Sequence, residues 1–125
     1  MAGCVLLVDD SSVMRKVVHR TLKMAGMEFD EVLEAGDGAE ALQRLDGKHV
    51  DLVLCDINMP NMSGLEFVAA MRTTMPEKKA PVVMVTTEGS EAQVKLAIAA
   101  GATAYVRKPF SVQDFERSVK PLVAR

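Results

Sequence analysis

Five short strand-like runs, at residues 4–8, 31–35, 52–55, 82–85 and 104–107, alternate along the chain with stretches whose apolar residues recur at helical spacing. Runs this brief, closed abruptly by charged or hydroxyl residues, suit strands of a parallel sheet buried on both faces, with the helical stretches as crossovers. The alternation predicts an α/β fold, a doubly wound five-stranded parallel sheet with helices on both faces and right-handed connections. The second run, with its Glu and Ala content, fits an edge position.

The first helix opens at Ser11 or Ser12 and reaches about Ala25, with Gly26 as its stop. Met14, Val17, Val18, Thr21, Leu22 and Ala25 form its inner stripe, and Arg15, Lys16, His19, Arg20 and Lys23 make a solvated basic face. Gly36-Asp37-Gly38 turns into a second helix over 39–45. The third buries Leu65, Phe67, Val68, Met71 and Met75 and ends at Pro76, while the fourth buries Val94, Ala97 and Ile98 and stops at Gly101. Ser111, three residues before Asp114, resembles a capping box for the last helix, which Pro121 should kink or end near Lys120.

The third run ends at Asp56, and Asn58, Pro60, Asn61, Ser63 and Gly64 follow in a composition that only a loop tolerates. Asp56 therefore stands at the carboxyl end of a central strand. In open α/β sheets that edge carries ligand sites, although a lone acid there often does no more than form an Asx turn. Asp56 has company. The first strand runs into Asp9-Asp10, the fourth into Thr86-Thr87-Glu88-Gly89 and the fifth into Lys108-Pro109-Phe110, so acids, a hydroxyl and a lysine converge. Two carboxylates about 4 Å apart repel by roughly 4 kcal/mol at an effective dielectric of about 20. A hard divalent cation relieves this. Magnesium is usually held by one or two carboxylates plus phosphate oxygens, which leaves Lys108 and Thr86 to hold a phosphoryl group.

Composition narrows the classes. A chain of 125 residues, 49% hydrophobic and 26% charged, is expected to be one domain (residues 1–125) with a real core. The net charge of −2, from 15 basic and 17 acidic residues, gives no field that would recruit nucleic acid or an anionic membrane. Cys4 and Cys55 lie in apolar strand contexts without CxxC or His spacing, so they read as core thiols in a reducing compartment. His19 and His49 build no metal or general-base constellation. The apolar run from Cys4 to Val8 is too short for a signal peptide or a membrane span, and a cytoplasmic location is expected.

Asp9-Asp10, D-I-N-M-P-N-M-S-G-L-E from Asp56, M-V-T-T-E-G from Met84 and Y-V-R-K-P-F from Tyr105 together resemble the receiver domain of two-component response regulators, over the whole chain. The resemblance implies the flavodoxin-like strand order 2-1-3-4-5, of which chemotaxis receivers are themselves a familiar example, so the order is the family's rather than a deduction from spacing. It implies Asp56 as phosphoacceptor. Asp10, Asp56 and the backbone carbonyl of Asn58 would bind magnesium directly, and Asp9 would act through a metal-bound water. Thr86 and Lys108 would contact phosphoryl oxygens, Tyr105 would turn with Thr86 as the switch aromatic, and the Lys108-Pro109 bond would be cis.

The implied chemistry is phosphoryl transfer from a histidine kinase to Asp56, in a phosphoacceptor that assists its own phosphorylation and dephosphorylation and is not otherwise an enzyme. With no output domain after the last helix, the signal is expected to leave a monomer through a non-covalent partner. The resemblance is to single-domain chemotaxis (CheY-like) regulators, which implies a flagellar motor switch protein and a phosphatase as partners. Asn58 and Glu88 fit that subgroup; Thr87 departs from it, since the family mostly has a small residue there and a β-branched one could narrow access to the site. A phosphorelay intermediate or a phosphate sink of another pathway is the alternative reading. A haloacid-dehalogenase-like phosphatase would need D-x-D after its first strand, and a flavin carrier a Ser/Thr-rich phosphate loop in place of Asp9-Asp10.

Overall fold

Strands β1 (Cys4–Val8), β2 (Glu31–Ala35), β3 (Leu52–Cys55), β4 (Val82–Thr86) and β5 (Ala104–Arg107) form a single sheet in the order β2-β1-β3-β4-β5, with every neighbouring pair parallel. Helices α1 (Ser12–Met24), α2 (Gly38–Leu45), α3 (Gly64–Thr74), α4 (Glu91–Ala100) and α5 (Val112–Ser118) alternate with them, and a short α6 (Lys120–Val123) follows. The computed structural model describes residues 3–87 and 90–123. This is the flavodoxin-like, doubly wound arrangement that the resemblance implies, with β2 at one edge as its composition suggests.

The strands read as continuous apolar runs because each residue meets a helix whichever way it points. On one face Leu6, Val8, Val53, Cys55 and Met84 pack with Phe67, Val68 and Met71 of α3, Leu45 of α2 and Ala97 of α4. On the other, Val5, Leu7, Leu52, Leu54, Val83 and Val85 pack with Val18 and Leu22 of α1 and Phe115 of α5. Each such side chain, fully removed from water, contributes about 1.5–3 kcal/mol before the entropy of ordering it is counted.

Polar residues fix where the helices begin. Ser11, Asp37, Ser63, Ser90 and Ser111 each accept a hydrogen bond from the amide three residues on, and Ser63/Glu66 and Ser111/Asp114 close reciprocal capping boxes. Caps of this kind are worth about 0.5–2 kcal/mol apiece. Gly101 closes α4 at φ +118°, a left-handed conformation that favours glycine.

Several expectations shift in detail. Helix α2 starts at Gly38, one residue early, because Asp37 is its cap. Val17 and Ile98, expected inside, are 41% and 48% exposed. The sheet takes only a narrow row from each helix, Val18, Thr21 and Leu22 from α1 and Ala97 from α4. Helix α5 stops at Ser118, and Pro121 sits in the first turn of α6, where its missing N–H leaves no helical bond unmade.

Candidate functional site

Register brings the strand ends together. Val8 lies opposite Cys55 on β3, and the Asp56 amide donates to the Val8 carbonyl at 2.9 Å, so Asp9 and Asp56 leave adjacent strands side by side. Across β4, the Lys108 amide donates to the Thr86 carbonyl at 2.8 Å, which turns the lysine back over the same edge. The Lys108-Pro109 bond is cis, as the resemblance implies.

Carboxylate oxygens of Asp9, Asp10 and Asp56 lie within 4.8 Å of one another. Asp9 is buried at 5% exposure and Asp56 at 9%, while Asp10 faces solvent. Lys108 Nζ lies 3.0 Å from Asp9 Oδ2 and 3.5 Å from Asp56 Oδ2. Asp9 Oδ1 accepts from the Ser11 amide at 2.9 Å, and Asp56 Oδ1 from the Ile57 amide at 2.8 Å. One lysine thus faces two acids, with a third beside them. Burial pushes the Asp56 carboxyl above its ordinary value; Lys108 and the Ile57 amide pull it down, and Asp9 adds to the rise. Burial also pushes the neighbouring Cys55 thiol well up, so it stays protonated and inert.

The donor set fits a small hard cation. Both Asp9 oxygens are engaged, whereas Asp10 is exposed and Asp56 Oδ1, with one bond from the Ile57 amide, keeps a lone pair for a cation, leaving room for the waters magnesium retains.

The β3–α3 loop is held tightly beneath this cluster. A Cβ on Gly64 would lie 2.1 Å from the Asp56 carbonyl oxygen, so only glycine fits, and the Gly64 amide donates to the Ile57 carbonyl at 2.8 Å. Asn61, at φ +66°, donates from Nδ2 to Asp37 Oδ2 at 2.9 Å, tying the loop to the cap of α2.

The remaining expected residues fall as follows. Thr86 is buried at 1% exposure, and half-buried Tyr105 lies opposite Met84, so Thr86 and Tyr105 share one face of neighbouring strands with Tyr105 a step further back. Asn58 and Thr87 are exposed, and Glu88 lies outside the described residues. The helical pattern puts Arg15 on the solvated face, yet its side chain is only 18% exposed: it donates to the Asp9 carbonyl and pairs with Glu34 at 2.7 Å. A signal existed. A cation near the start of a helix with no acid in its first turn opposes the helix dipole and calls for an acid elsewhere.

A fold of this order, with acids, a threonine and a lysine on its carboxyl edge, has the architecture of a receiver domain. The family model for the response regulator receiver domain matches residues 5–120, and the chain belongs to that family, as a CheY-like member. It is 42% identical over 116 residues to chemotaxis protein CheY1 of Helicobacter pylori, covering 92% of each chain. The solved structure of Vibrio cholerae chemotaxis protein CheY4 superposes with a TM-score of 0.79 at 40% identity, covering 92% of this chain and 93% of that one. The CheX-CheY-BeF3-Mg complex from Borrelia burgdorferi gives 0.84 at 28% identity, covering 98% and 90%. Among the described residues no helix is long and apolar enough to cross a membrane.

Proposed function

We propose that the chain is a response regulator receiver that accepts a phosphoryl group from a histidine kinase on Asp56 and signals by phosphorylation-dependent binding, in the cytoplasm and in chemotaxis. The observation that carries this is the Asp56 carboxylate, at the end of the central strand, with Lys108 Nζ 3.5 Å away and two further acids beside it.

The Ile57 amide fixes Oδ1 and leaves Oδ2 as the attacking oxygen. It forms a bond to phosphorus as the phosphorus–nitrogen bond of the phosphohistidine breaks, and the electron pair returns to the imidazole. The nucleophile is already a carboxylate, so no general base is required. Lys108 Nζ, within reach of both Asp56 and Asp9, balances charge spreading over the transferring oxygens. The buried Thr86 hydroxyl stands at the end of β4 to meet a phosphoryl oxygen. Asp10, Asp56 and the carbonyl of Asn58 would hold magnesium, with Asp9 reaching it through water; when bound, the ion supplies charge neutralisation at the phosphoryl group.

Movement of Thr86 toward that group would vacate space on the face it shares with Tyr105, and inward rotation of Tyr105 would change the α4–β5–α5 surface. Coupling of about 1–3 kcal/mol would tighten partner binding roughly 5- to 150-fold. The Borrelia complex, with beryllofluoride, magnesium and CheX, supports a partner-bound loaded form; a kinase, a motor switch protein and a phosphatase are the partners we assign. Incubation with acetyl phosphate and magnesium should add one phosphoryl mass to the wild type and none to Asp56→Asn. An equal mass gain in that variant would move the site elsewhere.

A further inference from the structure

Arg15 links the acidic cluster to the far edge of the sheet. From α1 its guanidinium donates through Nη1 to the backbone carbonyl of Asp9 and through Nε to Glu34 Oε1 at 2.7 Å. Glu34 is itself anchored, because Arg44 of α2 donates from Nε to the Glu34 carbonyl at 3.1 Å. The peptide that Arg15 grips is the one that aims the cluster. Its residue, Asp9, extends the β1–β2 ladder by donating its amide to the Ala35 carbonyl at 3.0 Å. Its carboxylate is divided between the Ser11 amide and Lys108, and the next residue, Asp10, presents the exposed carboxylate.

We infer that Arg15 is a positioning residue for divalent-cation binding: with Glu34 as counter-ion, it locks the β1–α1 turn so that Asp9 stays turned to Lys108 and Asp10 to the cation. The inference rests on the proposed metal site. Glu34 matters because a bare guanidinium beside the acids would compete with a cation by simple repulsion, whereas a guanidinium paired at 2.7 Å holds the turn while adding little net positive charge. The planar fork also matters. Lysine offers a point charge and cannot span the carbonyl and the carboxylate together.

Charge and positioning make opposite predictions, which makes the test decisive. Removing a cation near the acids should, by charge alone, tighten magnesium binding. Loss of positioning should weaken it, by roughly tenfold, the lower end of what losing an outer-sphere partner costs a metal site. Magnesium affinity would be measured by calorimetric titration on wild type, Arg15→Ala, Arg15→Lys and Glu34→Gln, each first checked for a cooperative melting transition without metal. In parallel, the rate of Asp56 labelling by acetyl phosphate would be followed against magnesium concentration. Weaker binding in Arg15→Ala, no full rescue by Arg15→Lys, and a raised half-saturating magnesium concentration with an unchanged rate at saturation are expected. A change in the saturated rate alone, or equal or tighter binding in Arg15→Ala, overturns the inference and leaves the metal site standing. Wild type that binds no magnesium overturns both. Should Arg15→Ala fail to fold, Arg15→Lys decides: it keeps the charge but loses the fork, and wild-type magnesium affinity there would end the claim, while Glu34→Gln, which leaves the guanidinium unpaired beside the acids, should weaken binding through repulsion.

Discussion

The two edges of this sheet handle charge in opposite ways. At the amino edge, charged side chains are spent on backbone groups. Arg72 donates to the carbonyls of Gly101, Lys78 and Ala80 at 3.1, 3.1 and 3.0 Å, Lys78 Nζ donates to the Lys48 carbonyl at 2.6 Å, and Asp51 Oδ2 accepts from the Cys4 amide at 2.8 Å. At the carboxyl edge, three carboxylates cluster and two of them share one lysine. The larger hollow, about 680 Å³, nonetheless lies at the amino edge beside Lys48, His49 and Lys78. Volume is a poor guide here, since Lys48 is paired with Glu31, His49 with Asp51, and Lys78 with a carbonyl. What marks a site is charge left unbalanced in a partly buried place. One edge holds the fold closed, and the other keeps an electrostatic deficit for a ligand to fill.

The largest effect on this contrast should come from the amino edge. Arg72→Ala leaves three carbonyls without their donor and should cost about 2–4 kcal/mol, judged from charge-assisted bonds of about 1.5–3 kcal/mol each with water replacing part of the loss. Urea denaturation would measure it, and labelling of Asp56 under folding conditions should persist. A loss of labelling in folded protein would break the separation of the two edges.

Filling the deficit comes next. Magnesium at about 100 times its dissociation constant should add roughly 2.7 kcal/mol, or about 10 °C in melting temperature for a chain of this size. Asp10→Ala should remove most of this gain. Melting curves that magnesium leaves unmoved would show that the carboxyl edge is not a metal site.

The smallest effect carries the most informative sign. Burial raises the Asp56 carboxyl above its unfolded value, so between the two values the folded state binds more protons and metal-free stability should rise as pH falls. Asp37 and Asp114 run the other way. Backbone amides at the helix starts lower both, so their contribution is full above the usual carboxylate range and is lost as pH falls through it. Metal-free Asp56→Asn should therefore be more stable than wild type at pH 7, and the gap should close on acidification toward the raised Asp56 value. A gap that widens would contradict the assignment of Asp56 as the strained acid.

Sequence alone conveyed the element order and the strand-end residues because both are local. Apolar runs that stop at Asp9, Asp56 and Lys108 state the sheet and its working edge in the same few residues. Helix faces were harder to place. Val17 and Ile98 keep helical spacing, but the sheet covers only a narrow row on α1 and α4, a matter of tertiary packing that periodicity does not encode. The burial of Arg15 escapes the helical pattern for a related reason: its carboxylate partner is 19 residues away on a neighbouring strand. The link from Asn61 to Asp37, 24 residues apart, was equally invisible.

Gly64 sets the direction in which this molecule can answer a change at Asp56. With no room for even a methyl group between the glycine and the Asp56 carbonyl oxygen, and a hydrogen bond holding the two turns together, α3 and the end of β3 behave as one welded joint. The loop beyond is pinned again to α2 through Asn61. A push delivered at Asp56 therefore meets an anvil on the α2–α3 side. The bracing of the α2–α3 side is thus written into one missing side chain.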